Sequence, residues 1–416
     1  MLISCNKVPN KKKSLEGKKN SDFAFTVCDS VSKINTGDWN SLVKHGSEFL
    51  ELPFLSVLER ESPENMRFHY AIIYDQDRPA AIAYFQVIDF STESFSNLFE
   101  QDSKEFSCMI TDYIRKHLAN HILRTADRIN MRLLICGNAY VSGEHGLTYS
   151  PQVNKTAVMD ALADVIFKIS QVEKLRGQIA AVLIKDFYAS SIDHAAELEE
   201  YKYHDFLVEP NMIVDIQWST FDEYLNAMSK KYRNRAKSIV KKGGALERRD
   251  FGWMDIEENA ERIQELFNNV HLKAKFRMAS LNTGYFAELK KQLGDKFTFI
   301  AYYFKGELIG FRSAFILKKS VEAHFIGLNY ELNKELELYQ NILYDYILEA
   351  MTNKKAKLSL GRTASEIKST VGAEPYQLTC YIRHRNSLSN RIIKPFIDYL
   401  KPAEWVPRNP FKEISI

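Results

Sequence analysis

Residues 297–316 read FTFIAYYFKGELIGFRSAFI, and this stretch decides the fold. Two runs rich in β-branched and aromatic side chains flank a polar Lys-Gly turn, which is the pattern of a β-hairpin. An upstream stretch, FHYAIIYDQDRPAAIAYFQV at residues 68–87, has the same form around its own polar turn. The two hairpins therefore predict mixed sheets rather than an all-parallel core, in two related halves of the chain.

The segments that follow the two hairpins also share one order. The first hairpin is followed by LLICGN at 133–138, a helix over about 156–174 and a strand near 179–184. The second is followed by HFIGLN at 324–329, a helix over about 336–352 and a strand near 357–360. This repetition favours a duplicated α/β domain. A chance repetition of strand, helix and strand is the alternative, because that order is common in α/β proteins.

The duplication sets the predicted boundaries. Residues 1–21 are polar and lysine-rich, which predicts a mobile tail. The first domain covers 22–216, with a helical insertion near 96–128, and the second covers 217–386. Residues 387–416 form a basic-aromatic extension. We expect each domain to have its own sheet, splayed open beside a helix, so that the two sheets frame a shared groove.

Composition agrees with this plan and excludes several classes of protein. A chain of 416 residues is longer than one hydrophobic core usually serves. The net charge is only +3, so we expect no DNA partner and look for basic function in local clusters. The five cysteines are scattered, which favours free thiols in a reducing compartment. With no leader segment and no apolar run long enough to span a bilayer, we expect a cytoplasmic protein.

Several common sites have no support in the sequence. The dinucleotide pattern GxGxxG and the P-loop pattern GxxxxGK[ST] do not occur. The ten histidines form no HxxxH or HExxH set, so no metal site is predicted. We also expect no tightly bound cofactor.

A strongly basic segment lies at residues 221–242. Its apolar residues recur at helical spacing, and cations that include Arg233 and Lys237 line the flanks, with almost no acidic residues to balance them. This pattern favours binding of an anion, such as the phosphates of coenzyme A, a tRNA backbone or a lipid headgroup. The alternative is a solvated helix whose lysines confer only solubility.

The segment 324–340 offers candidates for acyl-transfer chemistry. Aminolysis of a thioester needs a positioned neutral amine, a polarised carbonyl oxygen and a protonated leaving thiolate. His324 is a candidate base, Tyr339 a candidate proton donor, and Asn329 follows a strand end that exposes backbone N–H groups. A satisfied histidine in a strand and an ordinary tyrosine are the alternatives.

Further anion-binding candidates are Arg362 and Lys368, which flank the start of a helix, and Arg312 in the second hairpin. A capped helix with surface cations is the alternative. In the first half, Asn138 and His145 lie where the corresponding loop opens, and a glycine-rich turn without a catalytic role is equally compatible.

Several spaced motifs resemble the Fem-like GNAT transferases. They are Tyr224-Leu225 with Ser229-Lys-Lys-Tyr-Arg233, Lys305-Gly-Glu-Leu-Ile-Gly310, Gly327-Leu-Asn329, and Leu360-Gly361-Arg362 followed by Lys368 and Gly372-Ala373. In the first half, Trp39-Asn40, Phe49, Phe54-Leu55 and Leu58-Glu59 are similar to the opening signature of that group. The resemblance spans roughly residues 39–381.

This resemblance implies two tandem GNAT-like domains that form an amide from an acyl thioester or an acylated tRNA. The leading hypothesis is an N-acyltransferase that uses acyl-CoA as co-substrate and an amine acceptor, with a lipid or long-chain amine included. The alternatives are an aminoacyl-tRNA-dependent transferase acting on a cell-wall precursor and a catalytically inactive tandem GNAT that serves as a binding module.

Two further features bear on these hypotheses. The chain departs from ordinary GNAT enzymes between Asn329 and Gln340, where three glutamates replace the glycine-rich pyrophosphate loop. The basic-aromatic C-terminal segment predicts either contact with the inner membrane surface or packing onto the second domain.

Overall fold

The computed structural model of the chain describes residues 23–90, 131–273, 281–399 and 405–412. The predicted tail at 1–21 and the predicted insertion at 96–128 lie outside the described residues.

Within its described residues, the first half contains seven strands and the helices that cover them. The strands are β1 (Ala24–Cys28), β2 (Met66–Asp75), β3 (Arg78–Phe90), β4 (Met131–Cys136), β5 (Leu147–Tyr149), β6 (Ile179–Tyr188) and β7 (His204–Asp215). The helices are α1 (Thr36–Val43), α2 (Leu52–Glu61), α3 (Lys155–Glu173), α4 (Ile192–Ala195) and α5 (Glu197–Glu200).

The second half repeats the pattern. Its strands are β8 (Glu247–Asp250), β9 (Phe297–Phe304), β10 (Glu307–Ile316), β11 (Ser320–Leu328), β12 (Lys357–Ser359) and β13 (Glu374–His384). Its helices are α6 (Phe221–Ala227), α7 (Lys230–Lys242), α8 (Trp253–Glu258), α9 (Ala260–His271), α10 (Tyr285–Leu293), α11 (Tyr330–Leu336), α12 (Leu338–Thr352), α13 (Ser365–Ser369) and α14 (Ser387–Tyr399).

Both predicted hairpins are present. β2 pairs antiparallel with β3, and β9 pairs antiparallel with β10. The second turn consists of Lys305 at φ 51° and Gly306 at φ 83°. Two successive residues with positive φ match the right-handed twist of the flanking strands, which explains why Lys-Gly joins them.

The strands form one sheet, in the order β1-β2-β3-β4-β6-β13-β7-β12-β11-β10-β9-β8, with β5 beside β3. The expectation of two separate sheets is therefore wrong. The reason is an exchange of strands between the halves. β7 ends the first half yet pairs with β12 of the second, while β13 ends the second half and pairs with β6 of the first. β7 and β13 also pair with each other, so the strands of the two halves form one continuous sheet.

One face of this sheet carries a hydrophobic core that both halves share. Phe315 of β10 packs edge-on against Phe49 and Phe54 of the first half, with ring centroids 5.0 and 5.4 Å apart. On the same face α2 lies against α10, where Arg60 pairs with Glu288 at 2.7 Å. Each fully buried aromatic ring contributes about 1.5–3 kcal/mol, so these contacts fix the halves together.

On the opposite face, α3 covers the first half, whereas α7 and α12 cover the second. Cys136 and Cys380 are free and buried, as expected, whereas Cys28 is disulfide-bonded, contrary to the expectation of free thiols. Among the described residues, no helix combines the length and apolarity needed to cross a bilayer. That same part of the chain contains no group of His, Cys, Asp and Glu side chains arranged to hold a metal ion.

Candidate active site at the forks of the sheet

The sheet opens twice, where two parallel strand pairs separate. β4 and β6 are paired only as far as Cys136 and Ile184, although β6 continues to Tyr188. β11 and β12 are paired only as far as Glu322 and Ser359, although β11 continues to Leu328. We call these openings the first fork and the second fork. Backbone polar groups inside a fork lack a neighbouring strand, so a ligand can pair with them.

The first fork is filled by the loop of residues 137–146. Lys185 Nζ donates to the carbonyl oxygens of Asn138 at 2.6 Å and Val141 at 3.0 Å. The N–H of Gly143 donates to Asp186 Oδ2 at 3.2 Å, and the N–H of Tyr188 donates to Glu144 Oε2 at 3.4 Å. The loop thus occupies the space in which a ligand would otherwise lie.

The two first-half candidates belong to this loop. Asn138 is buried, and its side-chain oxygen accepts from the N–H of Tyr140 at 2.8 Å. His145 lies between Ser47 Oγ at 2.8 Å and the carbonyl oxygen of Ser142 at 2.9 Å. Burial lowers the pKa of His145 to about 4, so the ring is neutral at neutral pH. These contacts make both residues supports of the loop.

The second fork is open. Residues 322–326 are all partly exposed although β11 lies in the interior of the sheet. Beyond Glu322, β11 pairs only with β10 among the described strands. Gly361 and Arg362, which follow β12, are partly exposed on the other side. Phe325 and Ile326 add partly exposed apolar surface on opposite faces of β11, so the fork presents both backbone polar groups and apolar side chains.

A β-bulge shapes this stretch of β11. Arg312 pairs with Ile326 and Ala314 with Ala323, so His324 and Phe325 together oppose Ser313. Ser313 Oγ accepts from the N–H of Phe325 at 3.1 Å and donates to its carbonyl oxygen at 3.2 Å. Bulges re-aim side chains and are over-represented next to active sites.

Glu322 lies at the apex of the second fork. Burial raises the pKa of its carboxyl group to about 7, against the opposing effect of hydrogen bonds from Ser359 and Ser320. Ser320 Oγ donates to Glu322 Oε1 at 3.1 Å. A carboxylate with a pKa near neutrality is suited to general base catalysis. Glu322 was not among the residues predicted from the sequence, although a glutamate within an interior strand was a signal.

His324 follows two residues later on the same face of β11. Its ring lies among aromatic side chains, with the rings of Phe325 and Phe315 centred 4.1 and 4.7 Å away. Its Nε2 is 3.3 Å from Tyr285 Oη. Burial lowers the pKa of His324 to about 3, so the imidazole is neutral but a weak proton acceptor. Glu322 is therefore better suited than His324 to the role of base.

Asn329 and Tyr339 lie beyond the open end of β11. Asn329 caps α11, because its Oδ1 accepts from the N–H groups of Glu331 at 3.0 Å and Leu332 at 3.3 Å. Its side-chain oxygen is therefore already hydrogen-bonded to the first turn of the helix. Tyr339 is partly exposed in the first turn of α12, and burial raises the pKa of its hydroxyl well above the usual range.

Arg362 joins the second fork to the first half through a buried group of charges. Its guanidinium pairs with Asp186 of β6, which also pairs with Lys185 at 2.7 Å. Burial alone would raise the pKa of Asp186, but Arg362 and Lys185 lower it. Arg362 Nε is buried and has no hydrogen-bond partner among the described residues. Such a donor marks a place for a ligand or a water molecule.

Lys368 holds the peptide that carries Arg362. Its Nζ donates to the carbonyl oxygen of Gly361 at 3.2 Å and to that of Arg362. Burial lowers the pKa of Lys368 to about 7. The structure therefore gives Lys368 a positioning role beside Arg362, whereas Arg362 keeps its Nε donor unpaired among the described residues.

Arg312 lies on the opposite face of the sheet from His324. It pairs with Glu349 at 2.5 Å and stacks over the ring of Tyr346 at 4.8 Å. Its charge is therefore balanced inside the core, by a partner that sequence spacing did not indicate.

The basic segment forms two helices, α6 and α7, with a break at Met228 and Ser229, where one helix was expected. Its predicted apolar stripe is largely buried. Lys237 is exposed and Arg233 partly exposed on α7. Lys242 pairs with Glu337 at 3.3 Å, which places the end of α7 beside the junction of α11 and α12.

Comparison with solved structures identifies the fold. No protein-family model matches the sequence, and neither does any curated protein sequence. FemX is similar over 86% of this chain and 98% of its own, with a TM-score of 0.54 and 10% identity. A tandem GNAT protein from the clavulanic acid biosynthesis pathway, solved without AcCoA, is similar over 88% of this chain and 99% of its own, with a TM-score of 0.51 and 10% identity. The chain therefore has the tandem GNAT fold, as the sequence predicted.

Proposed function

We propose that this tandem GNAT protein is an N-acyltransferase that moves an acyl group from a thioester, acyl-CoA above all, to an amine in the second fork. The observation that carries the proposal is Glu322, a carboxyl group whose pKa is about 7 at the point where β11 and β12 separate. The first fork is closed by its own loop, which leaves the second fork as the open site of the two.

The reaction needs few groups. Glu322 accepts a proton from the acceptor ammonium and so frees the nitrogen lone pair. The nitrogen attacks the thioester carbon and forms the C–N bond, while backbone N–H groups along the open edge of β11 polarise the carbonyl oxygen. The nitrogen, which is positively charged after the attack, releases its second proton to water. The C–S bond then breaks, its electrons remain on sulfur, and the thiolate takes a proton from water.

Two positive regions support an anionic substrate. Arg362 follows β12 at the fork and keeps its Nε donor unpaired among the described residues, which suits a carboxylate or phosphate. The exposed cations of α7, with Arg233 and Lys237 among them, lie beyond the acidic junction of α11 and α12. They offer the phosphates of coenzyme A a site away from the glutamates that replace the usual pyrophosphate loop. Phe325 and Ile326 offer contacts for a long acyl chain, which favours a lipid or long-chain acceptor or donor.

The cations of α7 also favour a second candidate, an aminoacyl-tRNA-dependent transferase, because a helix with several exposed cations can follow a phosphate backbone. Affinity for tRNA would then fall steeply with salt, whereas binding of an acyl-CoA would respond less.

The test combines binding and turnover. The purified chain is melted with acyl-CoAs of varied length, with free CoA and with tRNA, and amide products from a panel of amines are measured by mass spectrometry. We expect stabilisation of several degrees by acyl-CoA at about 100 times its Kd, and an amide product.

A matched pair of variants tests the site. Glu322→Gln should lower the rate by a factor of about 10²–10⁴, whereas Glu335→Gln, an exposed carboxamide on α11, should not. Stabilisation by tRNA alone would favour the second candidate. No change in melting temperature with any of these ligands, or equal rates for the two variants, would overturn the proposal.

A further inference from the structure

A chain of hydrogen bonds crosses from the first half to the apex of the second fork. Asn211 of β7 donates from Nδ2 to Tyr188 Oη at 3.1 Å. Ser359 Oγ of β12 donates to Asn211 Oδ1 at 3.1 Å, and Ser359 also hydrogen-bonds to Glu322. Tyr188, at the end of β6, is thereby linked to the carboxyl group of the proposed base.

The direction of these bonds leaves the proton of Tyr188 without an acceptor among the described residues. The oxygen of Tyr188 accepts from Asn211, so its own O–H points elsewhere. Tyr188 is partly exposed, and Gly143 leaves room for its hydroxyl, since a Cβ at that glycine would lie 2.9 Å from Tyr188 Oη. A tyrosine held by its oxygen, and linked through Asn211 and Ser359 to the apex of the second fork, is a preorganised hydrogen-bond donor.

We propose that Tyr188 donates a hydrogen bond to the oxyanion that forms in the second fork, so that the two halves share one reacting centre. This inference rests on the proposed function. It assigns a catalytic role to the first half, whose own fork is closed, and makes Asn211 a positioning residue for Tyr188 and Ser359.

The charges around Tyr188 fit a donor that stays protonated. Burial is the main cause that raises the pKa of Tyr188 to about 12; the hydrogen bond from Asn211 opposes it, and the charges of Glu322, Asp186 and Glu144 add smaller increases. Asp186 is itself paired with Arg362 and Lys185. A hydroxyl with this pKa does not transfer its proton to a thiolate, which is the weaker base, but it stabilises negative charge on oxygen.

The step is balanced without proton transfer from Tyr188. The amine nitrogen attacks the carbonyl carbon, Glu322 holds the amine proton, and the π electrons of the carbonyl move onto oxygen. The O–H of Tyr188 donates to that oxygen until the C–S bond breaks and the carbonyl reforms. The positively charged nitrogen of the intermediate releases its excess proton to water, the thiolate takes a proton from water, and the glutamic acid returns its proton to water.

The first experiment compares Tyr188→Phe with Tyr203→Phe, a buried tyrosine of the first half that lies beneath Arg383. Tyr188→Phe should lower kcat by a factor of about 10²–10³ with little change in KM, as loss of one oxyanion donor does. Tyr203→Phe should keep kcat. Equal rates for the two variants, with the wild type active, would overturn this inference alone, whereas an inactive wild type would overturn the proposed function.

A second variant serves if Tyr188→Phe fails to fold. A difluorotyrosine at 188 keeps the shape of the ring but has a more acidic hydroxyl. We expect kcat to fall at high pH where this hydroxyl ionises, at a lower pH than in the wild type. A pH profile that does not change on fluorination would overturn the proposal.

Asn211→Ala gives an independent readout. Asn211 Oδ1 and the carboxylate of Glu322 compete for the single hydroxyl proton of Ser359. The variant leaves Glu322 as its acceptor, so the rising limb of the pH–rate profile should move to lower pH. A rising limb that stays in place would show that Asn211 supports only the fold.

Discussion

Replacement of Glu322 by Gln tests the environment of the second fork without assuming any activity. The folded-state pKa of Glu322 is about 7, against 4.5 for an ordinary glutamate. The folded protein therefore binds this proton more tightly than the unfolded chain does. The contribution to stability is complete below about pH 4.5 and is lost as the pH rises through 7.

The magnitude follows from that difference. At about 1.4 kcal/mol per pKa unit, the full shift corresponds to about 3 kcal/mol. The side chain is partly exposed, so solvent screening reduces this to roughly 1–2 kcal/mol. We expect the free energy of unfolding of Glu322→Gln, relative to wild type, to increase by that amount between about pH 5 and pH 8.

Urea denaturation followed by tryptophan fluorescence measures the effect at each pH. Glu335→Gln, an identical change at an exposed position of α11, is the control and should track the wild type. Curves for Glu322→Gln and wild type that stay parallel across this range would refute a desolvated carboxyl group at the fork, and with it the argument for Glu322 as base.

The other predictions concern the charges that border the fork. Asp186→Asn leaves Lys185 and Arg362 without their shared carboxylate, so it should lower the free energy of unfolding by about 3–5 kcal/mol. Adding Arg362→Gln should recover part of this loss, which a double-mutant cycle measured by denaturation will show. Burial lowers the pKa of Lys368 to about 7, against 10.5 for an ordinary lysine, so the unfolded chain binds this proton more tightly than the folded protein. Stability should therefore rise with pH from about 7 to 10.5, and Lys368→Met should abolish that rise in thermal melts. Lys237→Glu should weaken binding of acyl-CoA and reduce its salt dependence, measured by calorimetry, whereas the exposed Lys319→Glu at the far end of β11 should not.

Much of the fold could be predicted from the sequence because its signals are local. The Lys305-Gly306 turn and the alternation on either side of it specify a hairpin without reference to the rest of the chain. The repeated order of hairpin, strand, helix and strand then indicates the duplication. The single sheet could not be predicted, because β7 and β13 are compatible with either half and their partners depend on pairing between distant residues.

The candidate site was predicted only in part, for the same reason. The segment around His324 and Arg362 was identified from its motifs, and both residues border the second fork. The choice of His324 as base ignored its aromatic surroundings, which only the packing of β11 against α10 reveals. Tyr188 and Asn211 carried no motif, since their importance depends on contacts with a strand more than 140 residues away.

The exchanged strands give these separate observations one physical basis. Asn211 and Ser359 are neighbours because β7 pairs with β12, and Asp186 faces Arg362 because β13 brings β6 alongside β7. Two independent sheets would leave Tyr188 and Asp186 far from the second fork. The exchange therefore makes the fork of the second half depend on side chains of the first, which explains how a half whose own fork is filled can still contribute to the proposed reaction.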